Sequence, residues 1–490
     1  MSTENMKKVI TILLLGLMTW SITALYADDI NFPEIGDSAG ALISPQQEFQ
    51  IGQAFFWQMQ QATDLIEDPE VNSYIQSLGY RLVSHSDAPY LRFTFFMIPD
   101  SSVNAFAAPG GFIGLHTGLI LTTETEDELS SVVAHEIAHI TQRHLLRSYE
   151  KASQRSFPMM MAMIGAALLG AVDGQAGLAA MAAVQAGGTQ IQIDVTRANE
   201  KEADNIGMQT LVRSGFDAEA MPDFFERLQY ASRFYTGSAV PEFLRTHPVT
   251  TSRIAEARGR VSAYPVRRQL SDPLQFYLMR ERVRVLTTAD MKELVRFYAG
   301  ELTTGNSENE IATRYGYSLA LTESGEYYKA REILQSLIDH DDDRLTYQLA
   351  LANLEIEVGN LSTALQIYQE EQKLYPDDQA LTLEQVKALL LAHLPEQAEQ
   401  LLLRQLDLGT SPQQLYKLLA QATRDMGKRS QSHVWLAEYY YSAGHLGFAV
   451  DQLRLATEFA KGDEYQLAKI NSKLRNVEIT LAQIRELEQQ

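Results

Sequence analysis

His135-Glu136-Ile137-Ala138-His139 sets two imidazoles four residues apart with a carboxylate beside the first. On a helix those rings stand one turn apart on one face, so both can reach a single divalent cation, with Glu136 next to them. A cation held by two histidines and one carboxylate keeps an open position for water. The metal acidifies that water, and Glu136 can accept its proton as the oxygen attacks a peptide carbonyl. The pattern predicts peptide hydrolysis with Glu136 as general base. A third ligand has to come from a separate element, because the extended metzincin motif would need Gly at 142 and His at 145. The chain has Gln142 and Leu145 there, and His144 is off register. Asn199-Glu200-Lys201-Glu202-Ala203-Asp204 is expected to open another helix that stops before Gly215, with Glu200 and Asp204 one turn apart. Glu200 can serve as the ligand and Asp204 as acceptor for the N–H of a metal-bound imidazole, while Glu202 points elsewhere. Acidic residues near a helix start also answer the helix dipole, so the pair has an ordinary explanation too.

These groups need rigid elements behind them. From Thr125 to Arg143, Leu129, Val132, Val133, Ile137 and Ile140 recur at the 3.6-residue spacing of a helix with one buried face. Ser44-Pro45-Gln46-Gln47 reads as a capping box with Pro at the first helical position. Arg92 to Ile98 is rich in aromatic residues and reads as a strand; Gly110-Gly111 marks a turn before a second short strand, Phe112-Ile113-Gly114-Leu115, which suggests a small sheet. A peptide substrate could bind by adding a strand beside Phe112, Ile113, Gly114 and Leu115, with Asn104 and Ala105 bordering the cleft. Glycine-bearing strand edges also occur for purely structural reasons.

In the last third a period of 34 emerges: Ala330, Ala364 and Ala398 share it, as do Gly325 and Gly359. That is the tetratricopeptide period, in which a small residue lets two antiparallel helices approach and a glycine turns the chain. Gly427 and Gly444, with Ala420 and Ala437, are 17 apart, as if single helices continued the stack less regularly. One α-solenoid from about 307 to 490 is expected, with a concave surface for a protein partner.

The 490 residues call for two or three domains, and 45% hydrophobic with 21% charged residues suits ordinary globular ones. A formal charge of -21 is the wrong sign for a nucleic-acid binder. With no cysteine, disulfides, thiolate-held zinc and a thiol nucleophile are excluded. Lys7 and Lys8, an apolar run from Val9 to Met18 and the small residue Ala27 read as a secretory signal cleaved before Asp28. Residues 157–188, rich in Met, Ala, Gly and Leu, are interrupted at Asp173-Gly174 and too short on either side to span a bilayer. They read as a buried helical hairpin or as an exposed lid making peripheral contact with membrane or unfolded substrate.

His135 to His139 and Glu200 to Asp204, preceded by Ala105-Phe106-Ala107-Ala108-Pro109-Gly110-Gly111 and Thr117-Gly118-Leu119, resemble the M48 zinc metalloproteases over about 45–262. The resemblance implies a gluzincin fold with one Zn2+ per chain on His135, His139 and Glu200. Membrane-embedded members carry spanning helices between the two metal motifs, where this chain has the interrupted Met-rich stretch. Joined to a signal peptide and a helical repeat, the chain resembles the periplasmic members. Their implied role is maturing or degrading outer-membrane β-barrel proteins that stall, with the repeats docking on the assembly machinery and the enzyme possible at the periplasmic side of the outer membrane. Thr246-His247-Pro248 with Arg253-Ile254 is also similar to a family element. His247 could stabilise the oxyanion, fill the metal's open position as a gate, or simply bond to backbone. The gate is favoured because Pro248 fixes the chain beside His247 and Gly237-Ser238 upstream would let the loop swing. A rival reading is a chaperone-like scaffold whose metal site is structural or permanently closed.

The expected fold is thus α+β: a mainly helical zincin (gluzincin) domain with a small β-sheet, then an all-α tetratricopeptide solenoid. The expected division is a signal peptide at 1–27, the protease domain at 28–262, a helical linker at 263–306 and the repeats at 307–490.

Overall fold

The computed structural model describes residues 44–152, 189–232, 242–264, 273–305, 307–408 and 413–488. The signal segment, the Met-rich stretch and Gly237-Ser238 lie outside the described residues. Helix α1, Pro45–Ala62, starts as expected: Ser44 Oγ accepts from Gln47 N at 3.3 Å, and the Gln47 side chain accepts from Ser44 N at 2.9 Å. Helix α2, Pro69–Val83, is capped by Asp68. The sheet comprises β1 (Thr94–Ile98), β2 (Ala105–Ala108) and β3 (Phe112–His116) in the order β1-β3-β2. β1 runs parallel to β3, with Thr94 opposite Phe112; β2 runs antiparallel to it, with Ala105 opposite Leu115. The turn between β2 and β3 is a 3-10 turn, Pro109–Gly111. Gly111 has φ of 90°, and a Cβ there would lie 1.8 Å from Arg92 O, so only glycine lets the chain reverse this close to β1.

Short α3, Thr117–Thr122, leads into α4, Glu126–Thr141, which carries the two histidines. Thr125 caps α4 by accepting from Glu128 N at 3.2 Å. The predicted apolar positions Leu129, Val132, Val133 and Ile137 are fully enclosed in the main core with β1, β3 and α2, but the helix is buried on more than one face, with Ser130, Ser131, Ala134 and Ala138 enclosed as well. Helix α5 is His144–Ala152, α6 is Thr189–Arg213, α7 is Ala220–Ser232, α8 is Glu242–Thr246 and α9 is Thr251–Val261. The expected start of a helix at Asn199 is corrected: Glu200 and Asp204 lie mid-way along α6, which is already helical at Thr189. Their stabilising partners are therefore side chains rather than the free N–H groups of a first turn. The predicted stop holds, with Gly215 at φ of 87° and Phe216 N closing back onto Leu211 O at 3.1 Å.

Helices α10 (Pro273–Thr287) and α11 (Met291–Thr304) both pack on the first helix of the stack that follows. The pairs that follow are α12 (Glu310–Glu323) with α13 (Tyr327–His340), α14 (Leu345–Val358) with α15 (Leu361–Leu374), and α16 (Gln379–Leu391) with α17 (Pro395–Asp407). The stack closes with α18 (Gln413–Asp425) and α19 (Arg429–Ser442), then α20 (Leu446–Phe459) and α21 (Glu464–Glu488). Ala330, Ala364 and Ala398 are wholly buried in the stack, and Gly325 and Gly359 turn the chain with positive φ. The expected loss of regularity after Ala398 does not occur. First helices start at 310, 345, 379 and 413, and the 17-residue spacing is one helix plus its turn, with Gly427 ending α18 and Gly444 ending α19.

The stack folds back on the helices that flank the sheet. Trp57 of α1 donates to Ser442 O at 2.9 Å, and a Cβ at Gly444 would sit 2.2 Å from the Trp57 side chain. Arg282 of α10 grips Asp68 through two bonds of 2.8 Å, meets Glu70 at 2.9 Å and donates to the Tyr315 hydroxyl at 3.1 Å. Burial still pushes the Glu70 carboxyl up to about 8. No helix among the described residues is long and apolar enough to cross a membrane.

Candidate metal centre

Four ligand atoms converge where α4, α6 and the segment after α8 meet. Nε2 of His135 and Nε2 of His139 are 3.1 Å apart, and each lies 3.4 Å from a carboxylate oxygen of Glu200. His247 Nδ1 lies 3.3 Å from His135 Nε2 and 3.1 Å from both Glu200 oxygens. Atoms placed tetrahedrally ~2 Å from an ion stand roughly 3.3 Å from one another, so this donor set fits a zinc-sized divalent cation. Imidazole nitrogens with one carboxylate also suit such an ion chemically.

The approach of α6 to α4 depends on Gly207: a Cβ there would come within 3.1 Å of His135 N and Cα. Asp204, one turn before Gly207's neighbours, places Oδ1 3.1 Å from His135 Nδ1, the nitrogen turned away from the cluster. Sequence reasoning noticed Arg253 but gave it no task. In the structure Thr250 caps α9 through Arg253 N, and Arg253 donates to both oxygens of Asp204 at 2.7 Å. It also lies 3.0 Å from Glu200 Oε2 and donates to Pro248 O at 3.0 Å, so one guanidinium braces ligand, orienting carboxylate and the His247 segment together. The sequence signal for it is the Thr250 cap, which predicts a helix start and not a partner 49 residues away.

Burial disfavours charge on every group here, and neighbours then decide. Although burial works against it, Asp204 and Glu200 hold His135 protonated up to about 9. Burial, with the charges of His135 and His247 beside it, pushes His139 down to about 3. Burial raises Glu136, whereas the imidazoles around Glu200 outweigh its burial and hold it well below the usual carboxylate range. Such crowding of lone pairs and charge is what a divalent cation relieves.

Glu136 is 1% exposed, neither of its oxygens has a hydrogen-bond partner among the described residues, and His247 Nε2 lies 3.5 Å from one of them. His139 and His247 keep 15% and 11% of their side chains exposed, so access to the cluster is from their side. Phe243 stacks on the His247 ring at 4.9 Å and its N–H donates to Val103 O at 3.0 Å, tying the His247 segment to the residue before Asn104. Of the proposed substrate contacts, Phe112 to Leu115 are misplaced as a free edge. β3 is the central strand, hydrogen-bonded to β1 on one side and β2 on the other, and all its residues are buried. Strand addition there is blocked; the outer edges of β1 and β2 are the ones no described strand occupies, and β2 packs on α4. Asn104 is fully buried at the start of that segment with both amide atoms unpartnered among the described residues, and Ala105 is the first residue of β2.

Residues 69–261 match Peptidase family M48. Across 475 residues, 96% of both chains, the sequence is 34% identical to the "Beta-barrel assembly-enhancing protease" of Escherichia coli strain K12. The chain belongs to peptidase family M48. It is a metalloendopeptidase. The "Putative beta-barrel assembly-enhancing protease" of Vibrio cholerae is 39% identical over 328 residues, 67% of each chain. A shorter M48 likeness, 29% over 199 residues, joins 41% of this chain to 56% of the "Mitochondrial metalloendopeptidase OMA1" of Schizosaccharomyces pombe.

Proposed function

We propose that this M48 enzyme is a periplasmic zinc endopeptidase of outer-membrane protein quality control, promoting the assembly of β-barrel proteins and degrading those that stall or misfold. The observation that carries the chemistry is the convergence of His135, His139 and Glu200 with Glu136 beside them. The likeness to beta-barrel assembly-enhancing proteases along 96% of the chain supports the biological setting. In this reading residues 1–27 are removed on export, 28–262 cleave, 263–306 link and 307–490 dock on the assembly machinery.

His135 and His139 offer Nε2, and Glu200 a carboxylate oxygen, to one Zn2+ per chain. Bound there, the cation supplies a Lewis acid for a peptide carbonyl and lowers the pKa of a water. Glu136 takes the proton of that water and returns it to the leaving amine. Asp204 holds the His135 ring by its far nitrogen, and Arg253 holds Asp204. Asn104 and Ala105 border the cleft, with substrate laid along β2. His247 stands over Glu136 and beside Glu200, which favours its reading as a gate: while it is there, the base is shut away from a carbonyl. A client can then be held on the solenoid before it is cut.

The test is proteolysis of an unfolded outer-membrane β-barrel protein by the purified enzyme with its metal quantified. About one zinc per chain, loss of cleavage on chelation and recovery on adding Zn2+ are expected; a protein that cleaves equally well after chelation sinks the proposal. His247→Leu should keep its zinc and cleave several-fold faster, since the base is uncovered while three ligands remain. Unchanged zinc together with an unchanged rate would end the gate reading.

A further inference from the structure

His139 turns Nε2 to the cluster, and its other nitrogen, Nδ1, lies 3.0 Å from Nδ1 of His144. His144 is 2% exposed, and its own Nε2 lies 3.1 Å from Glu202 Oε2, an oxygen that Arg147 also holds at 3.1 Å. A continuous helix would have carried His144 away from His139. Instead α4 ends at Thr141, Arg143 adopts a left-handed φ of 51°, and α5 restarts at His144, bringing its ring back. Arg143 is fastened in that turn by Glu48 at 3.0 Å.

Two imidazole nitrogens 3.0 Å apart need one hydrogen between them. A ring that gives its Nε2 lone pair to a cation carries its hydrogen on Nδ1, so His139 donates and His144 accepts. His144 then keeps its hydrogen on Nε2 and donates it to Glu202. The run from His139 through His144 to Glu202 has one consistent polarity, and it is the only polarity compatible with His139 as a ligand. The two ligand rings are thereby held in different ways. His135 faces a buried carboxylate directly, whereas His139 faces a neutral ring backed by a half-exposed one.

We propose that His144, oriented by Glu202, is a positioning residue that locks the tautomer and orientation of His139 and so sets the affinity of the centre for its cation. This rests on His139 being a ligand. Removing such an outer partner of a metal-bound histidine typically weakens metal binding by about 10- to 100-fold.

The test is Zn2+ affinity of the full chain by competition with a chromophoric chelator, with thermal unfolding of the metal-free proteins alongside. His144→Phe should bind zinc about 10- to 100-fold more weakly. His144→Asn places an amide oxygen where Nδ1 stood and should restore most of that loss. Glu202→Gln, which keeps the size of a part-exposed side chain, should weaken binding in the same direction by a smaller factor. His144→Phe and Glu202→Gln both at wild-type affinity would overturn the proposal, as would His144→Asn binding as poorly as His144→Phe, which would show a packing role. Wild type that binds no zinc would instead remove the ligand assignment on which the proposal stands, a result distinct from either.

Discussion

Glu136→Gln should lower the turnover of a peptide substrate by about 10²- to 10⁴-fold while bound metal and fold stay as in the wild type. Glutamine matches the buried slot in size but cannot accept a proton from water. No hydrogen bond among the described residues is lost with the carboxylate, because neither of its oxygens has a partner there and His247 only approaches one of them at 3.5 Å. Burial raises the Glu136 pKa in the metal-free cluster, and in the metal-loaded enzyme the rate should climb with pH as the base ionises. That limb should vanish in Glu136→Gln. Steady-state cleavage across pH, with zinc measured in the same samples, reads both effects. A variant as active as wild type would take the general-base role from Glu136, and one that had lost its metal would leave the role unassigned to chemistry.

Arg253→Met should destabilise the metal-free protein by about 3–5 kcal/mol, the usual cost of leaving buried charge without its partner. The guanidinium is 3% exposed and satisfies both oxygens of Asp204 while lying 3.0 Å from Glu200, so its loss leaves both buried carboxylates with imidazoles as their remaining partners. Methionine fills the stem of the side chain and separates lost charge from lost volume. Asp204 and Glu200 are held below their ordinary values of 3.8 and 4.5, the direction that stabilises the fold above those values and loses that contribution as pH falls through the depressed ones. Arg253→Met should therefore lose stability chiefly above that range and converge on the wild type in acid. Denaturant unfolding of the chelated proteins across pH checks this; equal stability at neutral pH would mean the ion pairs contribute little.

Residues close in sequence carried their own structure. The Ser44 capping box, the helix through His135 and His139, the stop at Gly215 and the 34-residue spacing of buried alanines all rest on contacts within one or two turns or one repeat, and each was legible from residue type and spacing. β2 was not, because Ala-Phe-Ala-Ala has little strand preference of its own and is extended by pairing with β3. That pairing also decides that Phe112 to Leu115 form a covered central strand and not an edge.

The chain by itself determined the chemistry: two imidazoles one turn apart, a carboxylate between them, a second pair of acids on another helix, no thiol, and a repeat built to meet proteins. Only the tertiary structure decided the coupling. Arg253 finds Asp204, and His144 turns back on His139, because α6, α9 and a left-handed Arg143 bring distant or off-register groups into one buried volume. A periodic pattern encodes which face of a helix is buried, but the partner of a buried charge is set by which helices meet. That meeting depends on the whole core, in which an unpaired charge is costly enough that each one here has been given a neighbour or lies beside the cluster that holds the metal.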